Sequence, residues 1–357
     1  VHHLYGPERQ DQLMDIEKAC NKAGHPNRYY KFASTSKMTF SGAGIAAIAT
    51  SPRNLADELA HLSLQTIGFD KINQLRHARF LKDADGIAEH MDRYDDFMLF
   101  LASNGFLVVG DDHLGHGKSI DKPEDIGFFA ERNGWTYAVQ DEEILRSAMK
   151  INYPDIPIIV FGHSMGSFLT RTHLIKFPGG FDAAIISGTG NQGKPLVLGG
   201  LAMGNLVVKL KGPHHYSNML NNMAFGSYNK IYGIPKTTHD WLTRDEEVVA
   251  RYLADPLCGF VPSCSLFRDM MTGINLITNP KNLEAMKKDV PVYFMSGSMD
   301  PVGECGKGVK IAYENFRKAG MQDVSIKLYE GGRHEMLNEI NKDEVYSDIL
   351  AWIQSKI

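Results

Sequence analysis

The sequence predicts an α/β protein with a mostly parallel sheet flanked by helices, and three features indicate this fold class. From about Gly105 onward, short apolar segments rich in Val, Ile, Phe and Tyr alternate with longer amphipathic segments, as in parallel strands joined by helical crossovers. The apolar segments are continuous, so we expect both of their faces to be buried. A Gly-His-Ser-Met-Gly motif at residues 162–166 lies between one apolar segment and one amphipathic segment.

Five strands and four helices make up this pattern. The strands are predicted over Phe106–Gly110, Ile156–Phe161, Asp182–Ser187, Val292–Met295 and Val324–Tyr329. Each is short and ends in polar residues or glycine. Helices are predicted over Tyr137–Met149, Met165–Phe177, Lys307–Ala319 and Lys342–Ile357, where apolar residues recur at helical spacing.

Two stretches depart from the alternation. Residues from about Gly190 to Pro280 contain no clear strand and are rich in Gly, Asn, Met and aromatic residues. We expect a helical cap there, whose methionines and aromatic side chains form its own core or line an apolar pocket. Near the amino terminus, a helix is predicted over Asn54–Asp83, and the rest of this amino-terminal segment has an irregular pattern. We therefore expect an atypical segment over 1–85, a core over 86–189 and 281–357, and a cap over 190–280.

Composition excludes several classes of protein. With 43% hydrophobic and 22% charged residues the chain is typical of a globular protein, and a net charge of −4 offers no basic surface for nucleic acid. No apolar run approaches the roughly 18 residues that a membrane span needs. The four cysteines lack metal-ligand spacing, so we expect free thiols and a cytoplasmic location. A small-molecule substrate suits this composition best.

Ser164 is the candidate nucleophile, since it lies at the centre of the 162–166 motif directly after a predicted strand. A serine hydroxyl needs a base to take its proton, and a sharp strand-to-helix turn exposes it for that purpose. The same turn places the Met165 N–H at a helix N-terminus, where it is suited to stabilise an oxyanion. The alternative is a structural serine in a tight turn.

Asp300 and His334 are the candidate acid and base. In this architecture the acid and then the histidine follow the nucleophile along the chain, each just past a late strand. Asp300 follows the predicted strand Val292–Met295, and His334 follows Val324–Tyr329. The alternatives are a helix N-cap for Asp300 and a surface loop position for His334.

A Gly- and His-rich segment, Asp111–Ser119, follows the first predicted strand. His113 and His116 are conceivable metal ligands, but no third ligand clusters with them in the sequence, so we predict no metal site. We interpret the segment as a structural loop that supports the active-site face. The predicted chemistry requires no organic cofactor.

Together these motifs resemble the monoglyceride lipase and lysophospholipase branch of the α/β-hydrolase superfamily, in which an Asp-His-x-Gly-His-Gly-x-Ser loop precedes a Gly-His-Ser-Met-Gly turn. The resemblance runs from about Gly86 to Ile357, and its first part, Gly86–Tyr94, is similar to the family's oxyanion loop. It implies that the Ile87 N–H is a second oxyanion donor beside Met165. It also implies that the cap is a lid around an acyl-chain pocket.

The resemblance begins abruptly at Gly86. The family has an apolar strand ending in His-Gly before this point, whereas this chain has the charged segment Arg79–Gly86, with Asp85 in place of the histidine. We interpret the onset as a replaced amino terminus, from a gene fusion or a shifted reading frame. If the first strands are lacking, the exposed sheet edge needs cover from residues 54–83 or from another subunit, so a homo-oligomer is a further prediction.

These observations predict a carboxylic ester hydrolase that works through an acyl-enzyme. The resemblance and the cap composition indicate monoacylglycerols, lysophospholipids or short- to medium-chain acyl esters as substrates. One alternative is a peptidase or acyltransferase on the same triad. Another is a non-catalytic lipid-binding relative whose changed amino terminus has lost the oxyanion hole.

Overall fold

The computed structural model describes residues 20–24, 30–34, 46–50, 92–120 and 122–357. The chain divides into two units, Val1–Ala88 with Asp95–Val109, and Glu89–Tyr94 with Gly110–Ile357. In the first unit the described elements are the antiparallel strands β1 (Tyr30–Ser34) and β2 (Ala46–Thr50) and the helix α1 (Asp95–Ser103). The predicted helix Asn54–Asp83 and the candidate oxyanion donor Ile87 lie outside the described residues.

The second unit contains a parallel sheet, which confirms the predicted fold class. Its strands lie side by side in chain order: β3 (Ile159–His163), β4 (Ala183–Ser187), β5 (Val292–Gly297) and β6 (Val324–Tyr329). Every residue of β4 and β5 is buried, as expected for continuous apolar strands covered on both faces. Four of the five predicted strands are therefore present.

The fifth predicted strand, Phe106–Gly110, is wrong. These residues carry no strand assignment, and Leu107 is 39% exposed although the segment is apolar. An extended segment becomes a strand only when a neighbour accepts and donates its backbone hydrogen bonds. No strand in the described part of the chain pairs with this segment.

Helices cover the sheet and fill the stretch between β4 and β5. They are α2 (Gly134–Asn152), α3 (Met165–Lys176), α4 (Lys194–Lys211), α5 (Asn218–Phe225), α6 (Glu246–Ala254), α7 (Cys264–Ile277), α8 (Pro280–Leu283), α9 (Lys307–Lys318) and α10 (Lys342–Gln354). The four predicted helices correspond to α2, α3, α9 and α10. Within the described residues, no helix is both long and apolar enough to cross a membrane.

Helix α7 ties the stretch between β4 and β5 to the main core. Its start is fixed by Ser263, whose hydroxyl caps the Leu266 N–H at 3.2 Å. Further along, Ile277 is fully buried in the same cluster as Leu169 of α3 and Phe294 of β5. The carboxyl-terminal part of the predicted cap thus packs directly against the layer that carries Ser164.

Candidate active site

Ser164 occupies a strained turn between the end of β3 and the start of α3. Its backbone adopts φ 53° and ψ −119°, a region that L residues other than glycine rarely enter. The Ser164 N–H donates to the Ser187 carbonyl at 3.0 Å, which ties the turn to β4. A Cβ on Gly162 would lie 2.4 Å from the Gly166 carbonyl oxygen, so the chain needs glycine at residue 162 to turn this sharply.

Met165 is the first residue of α3. The first N–H groups of a helix have no partner within the helix, and the helix dipole makes this end electropositive. The backbone of Met165 therefore has the location that the sequence predicted for an oxyanion donor.

Asp300 and His334 form a buried hydrogen-bonded pair. Nδ1 of His334 lies 3.0 Å from Oδ1 and 3.1 Å from Oδ2 of Asp300, and the two residues are 2% and 0% exposed. Asp300 also accepts from the Ser296 hydroxyl at 2.8 Å and from the Val302 N–H at 2.9 Å. The carboxylate is thus held by three donors and holds the imidazole ring in turn.

The charge of Asp300 is stabilised by these donors. Burial by itself raises the pKa of this carboxyl, but the charge of His334 and hydrogen bonds from His334, Ser296 and Val302 outweigh it and lower the pKa. Asp300 is therefore ionised at neutral pH, as an acid that orients a histidine must be.

The sheet brings Ser164 to the same edge as the Asp300–His334 pair. Ser164 follows β3, while Asp300 and His334 follow β5 and β6, and the carboxyl ends of parallel strands lie along one edge. The ring of His163, the residue before Ser164, lies 4.6 Å from the His334 ring between centroids. In this structure no hydrogen bond joins the hydroxyl of Ser164 to His334, both of which are described. Such catalytic bonds commonly tighten only when substrate is bound.

His163 is a half-buried, neutral neighbour of the candidate base. Burial, and then the charge of His334, lower the pKa of His163 to about 3. Its Nδ1 lies 3.2 Å from the Ser187 hydroxyl. A ring with so low a pKa is a weak base, so His163 is poorly suited to accept a proton from Ser164.

The loop of His334 is fixed by a segment of the predicted cap that sequence reasoning missed. The His334 N–H donates to the Trp241 carbonyl at 3.3 Å, and the Glu335 N–H donates to the Leu242 carbonyl at 2.7 Å. The Trp241 ring lies 5.1 Å from the His334 ring. Residues 241–242 therefore belong to the scaffold of the site.

A second buried carboxylate, Glu339, joins the same loop to the cap. Its Oε1 accepts from the N–H groups of Arg244 and Arg333 at 3.1 and 3.0 Å. Its Oε2 accepts from Arg244 Nε at 3.0 Å and from the Ile340 N–H at 2.9 Å. Buried carboxylates require such partners. The motif His-Glu-Met-Leu-Asn-Glu at residues 334–339 places two acidic residues beside apolar ones, which was a sequence signal for buried carboxylates.

The segment Asp111–Ser119 is internally hydrogen-bonded. The Asp112 carboxylate accepts from the Lys118 N–H at 2.9 Å, and the Asp112 carbonyl accepts from the Ser119 hydroxyl at 2.7 Å. His116 Nδ1 lies 2.9 Å from the Leu114 carbonyl. These bonds are those of a closed loop, in agreement with its interpretation as a structural element.

Most of the chain matches known hydrolases. A family model described as "Serine aminopeptidase, S33" matches residues 83–341. A monoacylglycerol lipase of Mycolicibacterium smegmatis is 27% identical over 277 residues, which are 77% of this chain and 87% of that protein. The crystal structure of a thermostable carboxyl esterase from Bacillus coagulans in complex with glycerol matches with a TM-score of 0.70 and 28% identity. The match covers 76% of this chain and 87% of the esterase chain.

The front of the chain matches a different class of protein. A family model described as aspartate amino-transferase matches residues 1–120. An aminotransferase-like protein of Mycolicibacterium smegmatis is 40% identical over 127 residues, or 34% of this chain, and the chain spans only 28% of that relative's length. The two family matches overlap over residues 83–120, and a replaced amino terminus stays a prediction.

Proposed function

This chain belongs to the serine aminopeptidase S33 family of α/β-hydrolases, in its monoglyceride lipase-like branch, and on this premise we propose that it hydrolyses carboxylic esters through an acyl-enzyme. The observation that carries the proposal is the buried Asp300–His334 hydrogen bond at the sheet edge where the strained, half-buried residue Ser164 lies. The strain at Ser164 fits a residue held in place for function.

The proposed roles follow from this geometry. Ser164 Oγ attacks the ester carbonyl while His334 Nε2 takes its proton, and the collapse of the tetrahedral intermediate returns that proton to the leaving alcohol. Water then attacks the acyl-enzyme with His334 again as base, which releases the carboxylic acid and restores Ser164. Asp300 keeps the Nδ1–H tautomer of His334 and stabilises the imidazolium that forms in each step.

The proposed oxyanion hole combines two backbone donors. Met165 supplies an N–H at the start of α3, where the helix dipole favours developing negative charge. The second donor is the N–H of Ile87, assigned by the resemblance of Gly86–Tyr94 to the family's oxyanion loop.

The proposed organisation assigns the hydrolase core to residues 86–189 and 281–357 and the cap to residues 190–280. Helices α4 and α7 of the cap carry the partly buried methionines Met203 and Met271, which pack around the buried side chains of Leu220 and Phe267. Apolar, adaptable side chains suit an acyl-chain pocket. The proposed substrates are therefore monoacylglycerols, lysophospholipids or short- to medium-chain acyl esters.

Location and assembly remain predictions. Cys258, Cys264 and Cys305 are free thiols, which supports a reducing compartment such as the cytoplasm. Strand β3 lies at the edge of the described sheet, which supports a homo-oligomer if a second copy covers that edge. Light scattering on the purified protein would measure its mass directly.

Hydrolysis of p-nitrophenyl esters of increasing acyl length, together with a monoacylglycerol and a lysophospholipid, tests the proposed function. We expect turnover that the Ser164→Ala variant lacks, with an optimum that measures the length of the acyl pocket. Folded protein that binds these lipids without turnover would replace the proposal with a non-catalytic lipid-binding role.

A peptidase is the second candidate function, because the description of the matching family model is that of a serine aminopeptidase. The same triad transfers acyl groups from amides as well as esters. Turnover of an aminoacyl p-nitroanilide with a larger kcat/KM than the matched ester would favour the peptidase.

A further inference from the structure

A buried ion pair lies next to the candidate base and has no part in the proposed mechanism. Glu335 directly follows His334 and is 4% exposed. Its Oε2 lies 2.5 Å from the Arg93 guanidinium and accepts from Asn338 Nδ2 at 3.2 Å. Because its N–H is also bonded to the Leu242 carbonyl, the residue after the base is held through both side chain and main chain.

Arg93 is itself held in place by aromatic contacts. Its guanidinium carbon lies 4.7 Å from the centroid of the Tyr252 ring, and the Tyr252 hydroxyl accepts from the Gly259 N–H at 3.1 Å. The next residue, Tyr94, packs with its ring 6.3 Å from that of His163. The ion pair therefore connects the chain beside Ser164 to the loop of His334.

Several charged groups lie around His334. Asp300 bonds to its ring, and the neutral His163 packs on that ring. Glu335, the next residue in the chain, is paired with Arg93, and Arg333, the residue before His334, donates its N–H to Glu339. Burial raises the pKa of Glu335, but the charge and hydrogen bond of Arg93 outweigh it and lower that pKa, so Glu335 is ionised.

The tyrosine and cysteine side chains near this pair stay neutral. Burial raises the pKa of Tyr94, and raises the pKa of Tyr252 and of Cys258 to about 12. On the side of Asp300, burial likewise raises the pKa of Tyr228 to about 12, and it also raises the pKa of Tyr232. Near neutral pH the charges closest to His334 in the chain and in contacts are therefore Asp300, the Glu335–Arg93 pair, Arg333 and the Glu339–Arg244 pair.

We propose that Arg93 and Glu335 are positioning residues for His334: the pair fixes the loop of the base and cancels the charge of the second carboxylate beside it. Asp300 is then the carboxylate whose charge acts on the imidazolium. This inference rests on the proposed function, since it assigns the pair a role in setting when His334 can act as a base.

Removal of the carboxylate alone has a defined electrostatic consequence. In the Glu335→Gln variant, Arg93 keeps its charge and opposes the imidazolium form of His334. The acid limb of the kcat/KM profile then moves to lower pH, by about one unit, the order of shift that one unpaired charge near a buried group produces. In the double variant Arg93→Met/Glu335→Gln both charges are gone, and the midpoint returns to that of the wild type.

The test is the pH dependence of kcat/KM for a p-nitrophenyl ester in the wild type, both variants, Arg93→Lys and the exposed control Glu344→Gln. We expect a shifted acid limb in Glu335→Gln and unshifted limbs in the double variant, in Arg93→Lys and in the control. A purely structural pair would lower kcat at every pH and leave all midpoints in place, which would overturn the proposal. A shift that persists in the double variant would overturn it as well.

A second readout separates this proposal from the proposed function. The pH titration of the His334 ring C–H signal by NMR needs no turnover and is measured in the same proteins. If the wild type hydrolyses no ester, the proposed function fails, while the pair is still supported by the same pattern of shifted and unshifted titrations. Identical titrations in the wild type and Glu335→Gln would refute the pair alone.

Discussion

The substitution Glu339→Gln tests the carboxylate that joins the loop of His334 to residues 244 and 340. Glu339 is fully buried, and its two oxygens accept four hydrogen bonds, two of them on each oxygen. A glutamine keeps one acceptor oxygen and turns an NH2 group toward the two donors of the other. Two charge-assisted bonds are then lost, at roughly 1.5–3 kcal/mol each.

We therefore expect the free energy of unfolding to fall by about 3–5 kcal/mol in Glu339→Gln, as when one partner of a buried ion pair is removed. The assay is urea unfolding, monitored by both tryptophan fluorescence and circular dichroism. The two probes must give coincident transitions, because the free energy of unfolding is obtained on the assumption of two-state unfolding. The matched control is Glu344→Gln, whose carboxylate is 54% exposed and 3.0 Å from Lys327 Nζ. It should lose less than about 1 kcal/mol. A Glu339→Gln protein as stable as this control would refute the reasoning.

Three further substitutions test the site. Asp300→Asn should lower kcat by about 10⁴-fold, because the amide favours the wrong tautomer of His334; steady-state kinetics that show less than a tenfold loss would contradict this role. His163→Phe should remove one source of pH dependence from the free energy of unfolding. The pKa of His163 is about 3 in the folded protein and roughly 6.5 in the unfolded chain, so only the unfolded state takes up a proton as the pH falls below roughly 6.5. The wild type should thus lose about 2 kcal/mol relative to the variant between pH 7.5 and 5, and a constant difference in urea unfolding would count against a neutral His163 ring. Gly162→Ala should cost about 1–3 kcal/mol from overpacking, since its Cβ would meet Thr170 Oγ1 at 2.3 Å. Gly166→Ala, with nothing described within 4 Å of its Cβ, is the control, and equal thermal stabilities of the two variants would contradict the steric argument.

The elements that the sequence predicted well are those whose signal is local. Strand β6 has the predicted residues Val324–Tyr329, and α3 begins at the predicted Met165. Both are bounded by polar residues or glycine within an apolar pattern, so burial alone determines where they lie. The positions of Ser164, Asp300 and His334 were likewise predicted from the strand that comes before each residue in the sequence.

The parts that were missed depend on partners far away in the chain. Phe106–Gly110 is as apolar as the true strands, but a strand also needs a neighbour, and its own residues do not specify one. The contacts of Glu335 with Arg93, and of Glu339 with Arg244, span 242 and 95 residues. No spacing rule relates positions so far apart. The carboxylates themselves were a usable signal, since acidic residues in an apolar motif need donors when buried.

Reaction with a fluorophosphonate, followed by intact mass and peptide mapping, tests the central claim that Ser164 is a nucleophile activated by His334. We predict one adduct per chain, located on Ser164, with no adduct in Ser164→Ala and much slower labelling in His334→Ala. Equal labelling of the wild type and Ser164→Ala, or an adduct on another residue, would contradict the account.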